Sequence, residues 1–352
     1  MLSSLTYAPK FCTLKEMSLH MNESEAIFHG RIKQCHVQRE RMAELISYYQ
    51  QGNAILLSST EELTDLQDAL EQDKLNFSND MVIDMIIEYV QQQRDDNDFG
   101  QILQKLKIAS IDDHCSPGLA YPKYSDDSYY IEISQDISKR MRLLGDLLAV
   151  LFMLEESLKS DEEQALSVLL QASRQRYLEG EEFPPAYNIA QLLMAKCDQQ
   201  YGDNFTDRYV AYAREIYEMA MAFLIGHEIG HHFYGHTVQK PALGEKSQIA
   251  ELKADGFALD FAFCYLKSAY FNENHVYGIH MFTGVYIPLL ASQQLCNNIF
   301  LGTNSHPALI TRLVGVQRGL YKIIDESAWR ETQHYRNTLC QLIDFPLNSI
   351  QN

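Results

Sequence analysis

Basic residues are scarce in this chain. Lysine and arginine number 29 against 47 aspartates and glutamates, a formal net charge of -18 over 352 residues. Phosphate backbones need clustered cations, so this balance argues against nucleic acid as a partner, and against docking on anionic lipid. A basic protein or peptide is compatible with it. Long apolar runs are also missing. The nearest, Leu143–Leu154 and Phe282–Leu290, are interrupted by Asp146 or too short to span a bilayer, and both read as buried helices. The first residues, MLSSLTYAPKFCTLKEM, lack the basic start and apolar run of a signal peptide. The seven cysteines (Cys12, Cys35, Cys115, Cys197, Cys264, Cys296, Cys340) are odd in number and scattered, and no CxxC occurs. A reduced, cytoplasmic protein with free thiols is the simplest account of that pattern. There is no P-loop, dinucleotide fingerprint or Ser/His/Asp signature, and no repeat or low-complexity tract.

What is present is ordinary globular composition, 46% hydrophobic and 22% charged, enough to bury a core. Residues 15–100 read as helical. A capping box at Ser59-Thr60-Glu61-Glu62 opens one helix, with Leu63, Leu66 and Leu70 at helical spacing, and MVIDMIIEYVQQQ forms another. The character then changes. LKIASIDD and SYYIEIS read as strands, with turns and a possible short strand between them, which places a small sheet around 105–135. Helix resumes from Ile137 to about Leu178, including a capping box at Ser160 and Glu163, until EGEEFPPAYN breaks it. A long amphipathic helix starts near Asp207, and everything after Ala250 reads as helix. The expected class is α+β, predominantly helical. The expected division is a helical N-terminal region, 1–100, with a regulatory or partner-binding role, and a second domain, 101–352, carrying a helical insertion around 137–200.

The long helix ends in FLIGHEIGHHFYGH, four histidines and a glutamate in ten residues. His227, Glu228 and His231 form HExxH. On a helix, residues four apart share a face, so His227 and His231 can offer two imidazoles to one ion. Glu228 lies about 100° round, where a base acting on a metal-activated water belongs. A catalytic zinc needs a third protein ligand and an open position. Glu251, in ELKAD, follows His231 by twenty residues, room for the glycine- and proline-containing loop GHTVQKPALGEKSQ and a returning helix. Asp255, one turn further, can hold the far nitrogen of a metal-bound imidazole and fix its tautomer. A solvated acidic pair is the alternative for Glu251 and Asp255.

HExxH followed at this spacing by ExxxD resembles the gluzincin zinc metallopeptidases, the thermolysin-like group. The resemblance implies a zincin-like domain, Zn2+ held by His227, His231 and Glu251, Glu228 as general base and Asp255 in support. A later segment, SHPALITR (Ser305–Arg312), resembles the HtpX-like and CAAX-prenyl endopeptidases. That likeness implies His306 as a donor to the oxyanion and Arg312 as the partner of a nearby carboxylate. A plain helix cap for His306 and a surface cation for Arg312 are the alternatives. HtpX-like enzymes are usually embedded in membrane, whereas this chain has no span, so a soluble relative is expected. Phage-exclusion proteases also carry HExxH in a soluble chain. The expected function is a zinc endopeptidase acting on protein or peptide, in stress response or phage defence, with a possible regulatory protein partner; a zinc-binding sensor or adaptor with a dormant site is the alternative.

The remaining candidates read as structural or supporting. His232 and His236 lie off the His227 face and read as polar packing or as support for the ligands from behind, and His236 suits a helix C-terminus. Asp112–Cys115 reads as a turn, and His275 and His280 as packing residues. By analogy with gluzincins, YYIEIS is expected to be an edge strand lined by substrate, with Tyr130 or Glu132 near it; a buried strand is the alternative.

Overall fold

Apolar residues at helical spacing set the elements that carry the site. In α1 (Phe77–Gln93), Ile83, Ile86 and Val90 are buried while Asp84 and Glu88 face solvent. A short helix, α2 (Asn97–Gln104), leads into β1 (Leu106–Ile111), β2 (Gly118–Ala120) and β3 (Tyr129–Ser134). Next, α3 (Gln135–Glu155) buries Ile137, Met141, Leu144, Leu148 and Phe152 along one stripe. Then come α4 (Asn204–Phe233), α5 (Glu245–Ala269), a 3₁₀ helix (Ile279–Tyr286), α6 (Ile287–Leu295), α7 (Leu309–Ile323) and α8 (Glu326–Leu342). The computed structural model describes residues 77–93, 97–111, 118–121, 128–155, 204–238, 243–270, 279–295, 302–303 and 305–342. Over these the protein is a predominantly helical α+β fold with one small sheet. The capping boxes at Ser59 and Ser160, the Asp112–Cys115 turn and His275 lie outside the described residues. Among those described, no helix is long and apolar enough to cross a membrane.

The sheet order is β1-β3-β2. Strand β3 runs parallel to β1, with Leu106 opposite Tyr129, and antiparallel to β2, with Gly118 opposite Ile133. This corrects the expectation for YYIEIS. It is the central strand, paired on both sides, and Tyr130 and Glu132 are each 2% exposed. Glu132 accepts a hydrogen bond from the Tyr121 hydroxyl at 2.5 Å, so its carboxylate is committed inside the fold. The edge strand on the side of the histidine helix is β2.

Helix α4 is the axis of the molecule. The sequence pattern suggests an amphipathic helix, yet every residue from Glu215 to Gly230 is buried. Helices α1, α3 and α5, the 3₁₀ helix and β2 surround it. The carboxylate of Glu218 is satisfied internally instead: Arg214 donates to one oxygen at 2.7 Å, and Tyr265 and Tyr270 donate to the other.

Candidate active site

The contact between α4 and α5 is unusually close where the histidines begin. A Cβ on Gly226 would sit 2.8 Å from Phe261 Cβ, and one on Gly230 would sit 3.1 Å from Ala254 Cα. Two glycines one turn apart, facing the small side chains of Ala254 and Ala258, let the backbones approach. Glu251, near the start of α5, is thereby carried to the imidazoles of α4. Its Oε2 lies 3.4 Å from His227 Nε2 and its Oε1 3.6 Å from His231 Nε2. The two Nε2 atoms are 3.2 Å apart. These three side chains could hold a metal ion, each offering one donor atom within 4.8 Å of the others. Donors bound to a tetrahedral zinc at about 2.0–2.1 Å are roughly 3.3 Å apart, so the triangle has the size such an ion requires.

Behind this triangle stands a second layer of charge. Asp255 Oδ1 lies 2.9 Å from His227 Nδ1. Arg312, from the first turn of α7, grips the same carboxylate with two bonds, Nε to Oδ2 at 2.8 Å and Nη2 to Oδ1 at 2.6 Å. Its side chain is 11% exposed, so it is no surface cation. The guanidinium beside it holds the Asp255 carboxyl below the usual carboxylate range against the opposing effect of burial.

Glu228 points the other way, towards the sheet. It is buried and accepts a hydrogen bond from the Ala120 backbone amide of β2. Burial pushes its carboxyl up to about 7, with Glu251 adding to the rise and His227 opposing it. A carboxyl poised there can both take and return a proton near neutral pH. Among the three clustered side chains, burial opposes charge on His227, but Asp255 and Glu251 outweigh it and raise its pKa to about 10. His231 is driven down to about 3 by burial and by its neighbour His227. Burial opposes the charge on Glu251 too, yet the imidazole of His227 holds its carboxyl well below the usual range. The cluster thus draws one positive charge to its centre, the electrostatics a bound cation would satisfy.

His306 reaches the same place from a turn after α6. Its Nε2 is 3.7 Å from Glu251 Oε1. The turn is pinned onto the start of α5 by Gln248 Nε2 donating to Thr303 O at 2.8 Å and Ser247 Oγ donating to Ser305 O at 3.0 Å. It is closed by its own amides, His306 N donating to Thr303 Oγ1 at 3.0 Å and Thr303 N to His306 O at 2.8 Å. The N-cap of α7 is Ala308, so His306 does not cap that helix. His232 is occupied elsewhere: its Nε2 donates to Tyr130 O at 3.2 Å and its Nδ1 faces Thr237 Oγ1 at 2.9 Å, which ties α4 to β3. The fold therefore gathers His227, Glu228, His231, Glu251, Asp255, His306 and Arg312 into one region and sets His232 apart.

A family model described as Peptidase U49 matches residues 155–331, just over half of the chain, and spans all seven of these residues. The protein belongs to the Peptidase U49 family. It is thus a peptidase, with protein or peptide as its substrate class. No curated protein matches the chain. No solved structure matches it either. Two contacts of this peptidase's site go beyond the sequence reading: the Ala120 amide on Glu228, and, for a His236 expected only in packing or general support, the approach of its Nδ1 to within 3.1 Å of His231 Nδ1. The first joins residues far apart in the chain, and no sequence signal marks it. The second has one local signal, the glycine just before His236.

Proposed function

We propose that this peptidase is a zinc-dependent endopeptidase of the gluzincin kind, in which His227, His231 and Glu251 hold the ion and Glu228 is the general base. The observation that carries the reading is the convergence of two Nε2 atoms and a carboxylate at zinc-ligand spacing, with Glu228 buried beside them. When bound, zinc supplies a Lewis acid and brings the pKa of a water to around neutral. A carboxylate oxygen of Glu228 takes one proton from the attacking water, and Glu228 then passes it to the amine nitrogen that leaves. One water and one peptide bond become a carboxylate and an amine. Asp255 orients His227 through Nδ1, and Arg312 holds Asp255 in place. His306 donates from Nε2 to the oxygen on which negative charge develops. This use of His306 and Arg312 fits the later segment of the HtpX-like and CAAX-prenyl enzymes, in a soluble, cytoplasmic setting. The N-terminal region up to residue 100 serves regulation or partner binding, anchored by α1 and α2, which share the hydrophobic core with α4 and α5.

The test compares purified wild type with Glu228→Gln. Both are expected to contain one zinc by elemental analysis, and new fragments of host-lysate proteins should appear with the wild type alone. Absence of zinc from both would sink the reading. Zinc in both with no cleavage by either would point to the binding role, a sensor or adaptor with a dormant site.

A further inference from the structure

His231 turns its Nε2 towards His227 and Glu251, and its Nδ1 to the opposite side, where His236 Nδ1 lies 3.1 Å away. An imidazole that gives Nε2 to a cation carries its proton on Nδ1, and that N–H needs an acceptor. For His227 the acceptor is Asp255. We infer that His236 is the corresponding positioning residue for His231, its Nδ1 accepting the His231 Nδ1–H and so fixing the tautomer and ring plane that present Nε2 to the metal. The inference rests on the metal-site reading above.

The chain delivers His236 by the way α4 ends. Gly235 adopts φ +70°, which a side chain would strain. Gly235 N donates to His232 O at 3.0 Å and His236 N to His231 O at 2.9 Å, the paired bonds of a Schellman turn. This reversal swings residue 236 back over the last turn of the helix, onto the ring of residue 231. Capping is therefore done by the backbone, and the imidazole of His236 is left for another task. The ring is stacked on Tyr234, with centroids 5.8 Å apart and 29° between planes, and Lys253 Nζ lies 5.9 Å from the centre of the Tyr234 ring. Those contacts hold the acceptor in position. The bond requires His236 in the tautomer protonated at Nε2, with Nδ1 bare.

Two substitutions separate the acceptor from the ring. His236→Phe keeps a ring against Tyr234 and leaves the backbone turn intact but has no acceptor. His236→Asn places an amide oxygen close to where Nδ1 stood. Zinc affinity is measured by competition with a chromophoric chelator, and melting of the metal-free proteins reports the fold. The Phe variant should bind zinc about 10–100-fold more weakly than wild type, and the Asn variant within about threefold of it, with metal-free melting close to wild type for both. Wild-type affinity in the Phe variant would overturn the inference. So would an Asn variant that loses as much affinity as Phe while remaining folded. If the wild type itself binds no zinc, the metal-site reading fails first, and that result is distinct from either of these.

Discussion

Arg312→Met is expected to destabilise the metal-free protein by about 3–5 kcal/mol, because it strands the Asp255 carboxylate in the interior. Exposed ion pairs are worth at most about 1 kcal/mol, since water replaces a lost partner. Water has little access here: the two side chains are 11% and 4% exposed. Both carboxylate oxygens are gripped, at 2.8 and 2.6 Å, so removal of the guanidinium breaks two charge-assisted bonds at once. His227 Nδ1 still faces Oδ1 at 2.9 Å, which tempers the loss. For a chain of this size the change amounts to a fall in melting temperature of about 4–7 °C. Adding Asp255→Asn removes the stranded charge while leaving an oxygen for His227, so the double variant should melt above Arg312→Met alone. Asp255 has its pKa held down in the fold, so this stability is present above the unfolded pKa and is lost only as pH falls through the lower folded value; the gap between wild type and Arg312→Met should therefore persist across about pH 5–8. The assay is thermal melting in the presence of a chelator, so that metal binding contributes nothing. A shift below about 2 °C for Arg312→Met, or strict additivity in the double variant, would refute the buried-pair argument.

Two further outcomes follow from the packing of α4. Gly226→Ala should destabilise the protein by about 1–3 kcal/mol of overpacking, less about 1 kcal/mol of helix propensity, and should weaken metal binding by pushing α5 and Glu251 away. Gly256→Ala, whose added carbon meets nothing within 4 Å, is the control, and equal behaviour of the two variants in melting and zinc affinity would contradict the close-approach account. Glu215 is buried with Oε2 unpartnered, and burial, reinforced by Glu218, pushes its carboxyl up to about 8, well above the usual carboxylate range. The raised folded pKa gives stability present below the unfolded value and lost as pH rises towards the folded one. Glu215→Gln should accordingly raise the melting temperature more at pH 8 than at pH 5, measured with chelator present; an equal effect at both pH values would show that the carboxyl is ionised in the fold.

Local chemistry was legible and non-local pairing was not. HExxH on a helix, a loop and a returning helix with ExxxD could be read because each depends on spacing within one element. The internal burial of α4 could not, because Arg214, Glu215 and Glu218 write a polar face into the sequence. On that face the Glu218 carboxylate is met by Tyr265 and Tyr270 rather than by water. The place of YYIEIS in the sheet was not legible for a related reason. YYIEIS alternates as an edge strand would, and its pairing with β1 on one side and β2 on the other is set by residues outside it. For His306 and Arg312 the sequence allows a helix cap and a surface cation as well, and it is the turn at Thr303, resting on α5, and the Arg312 fork on Asp255 that remove those alternatives.

The sequence by itself determined that His227 and His231 share a helical face with Glu228 beside them, because a 3.6-residue period is a local property of the backbone. It also placed Gly235 where a helix could end and turn back. Tertiary structure decided the rest. Glu251 meets the imidazoles only because Gly226 and Gly230 let two helices touch, and Asp255 finds its cation 57 residues away on another helix. Such distances follow from which faces pack together, a choice made by the burial of the whole core rather than by any one segment.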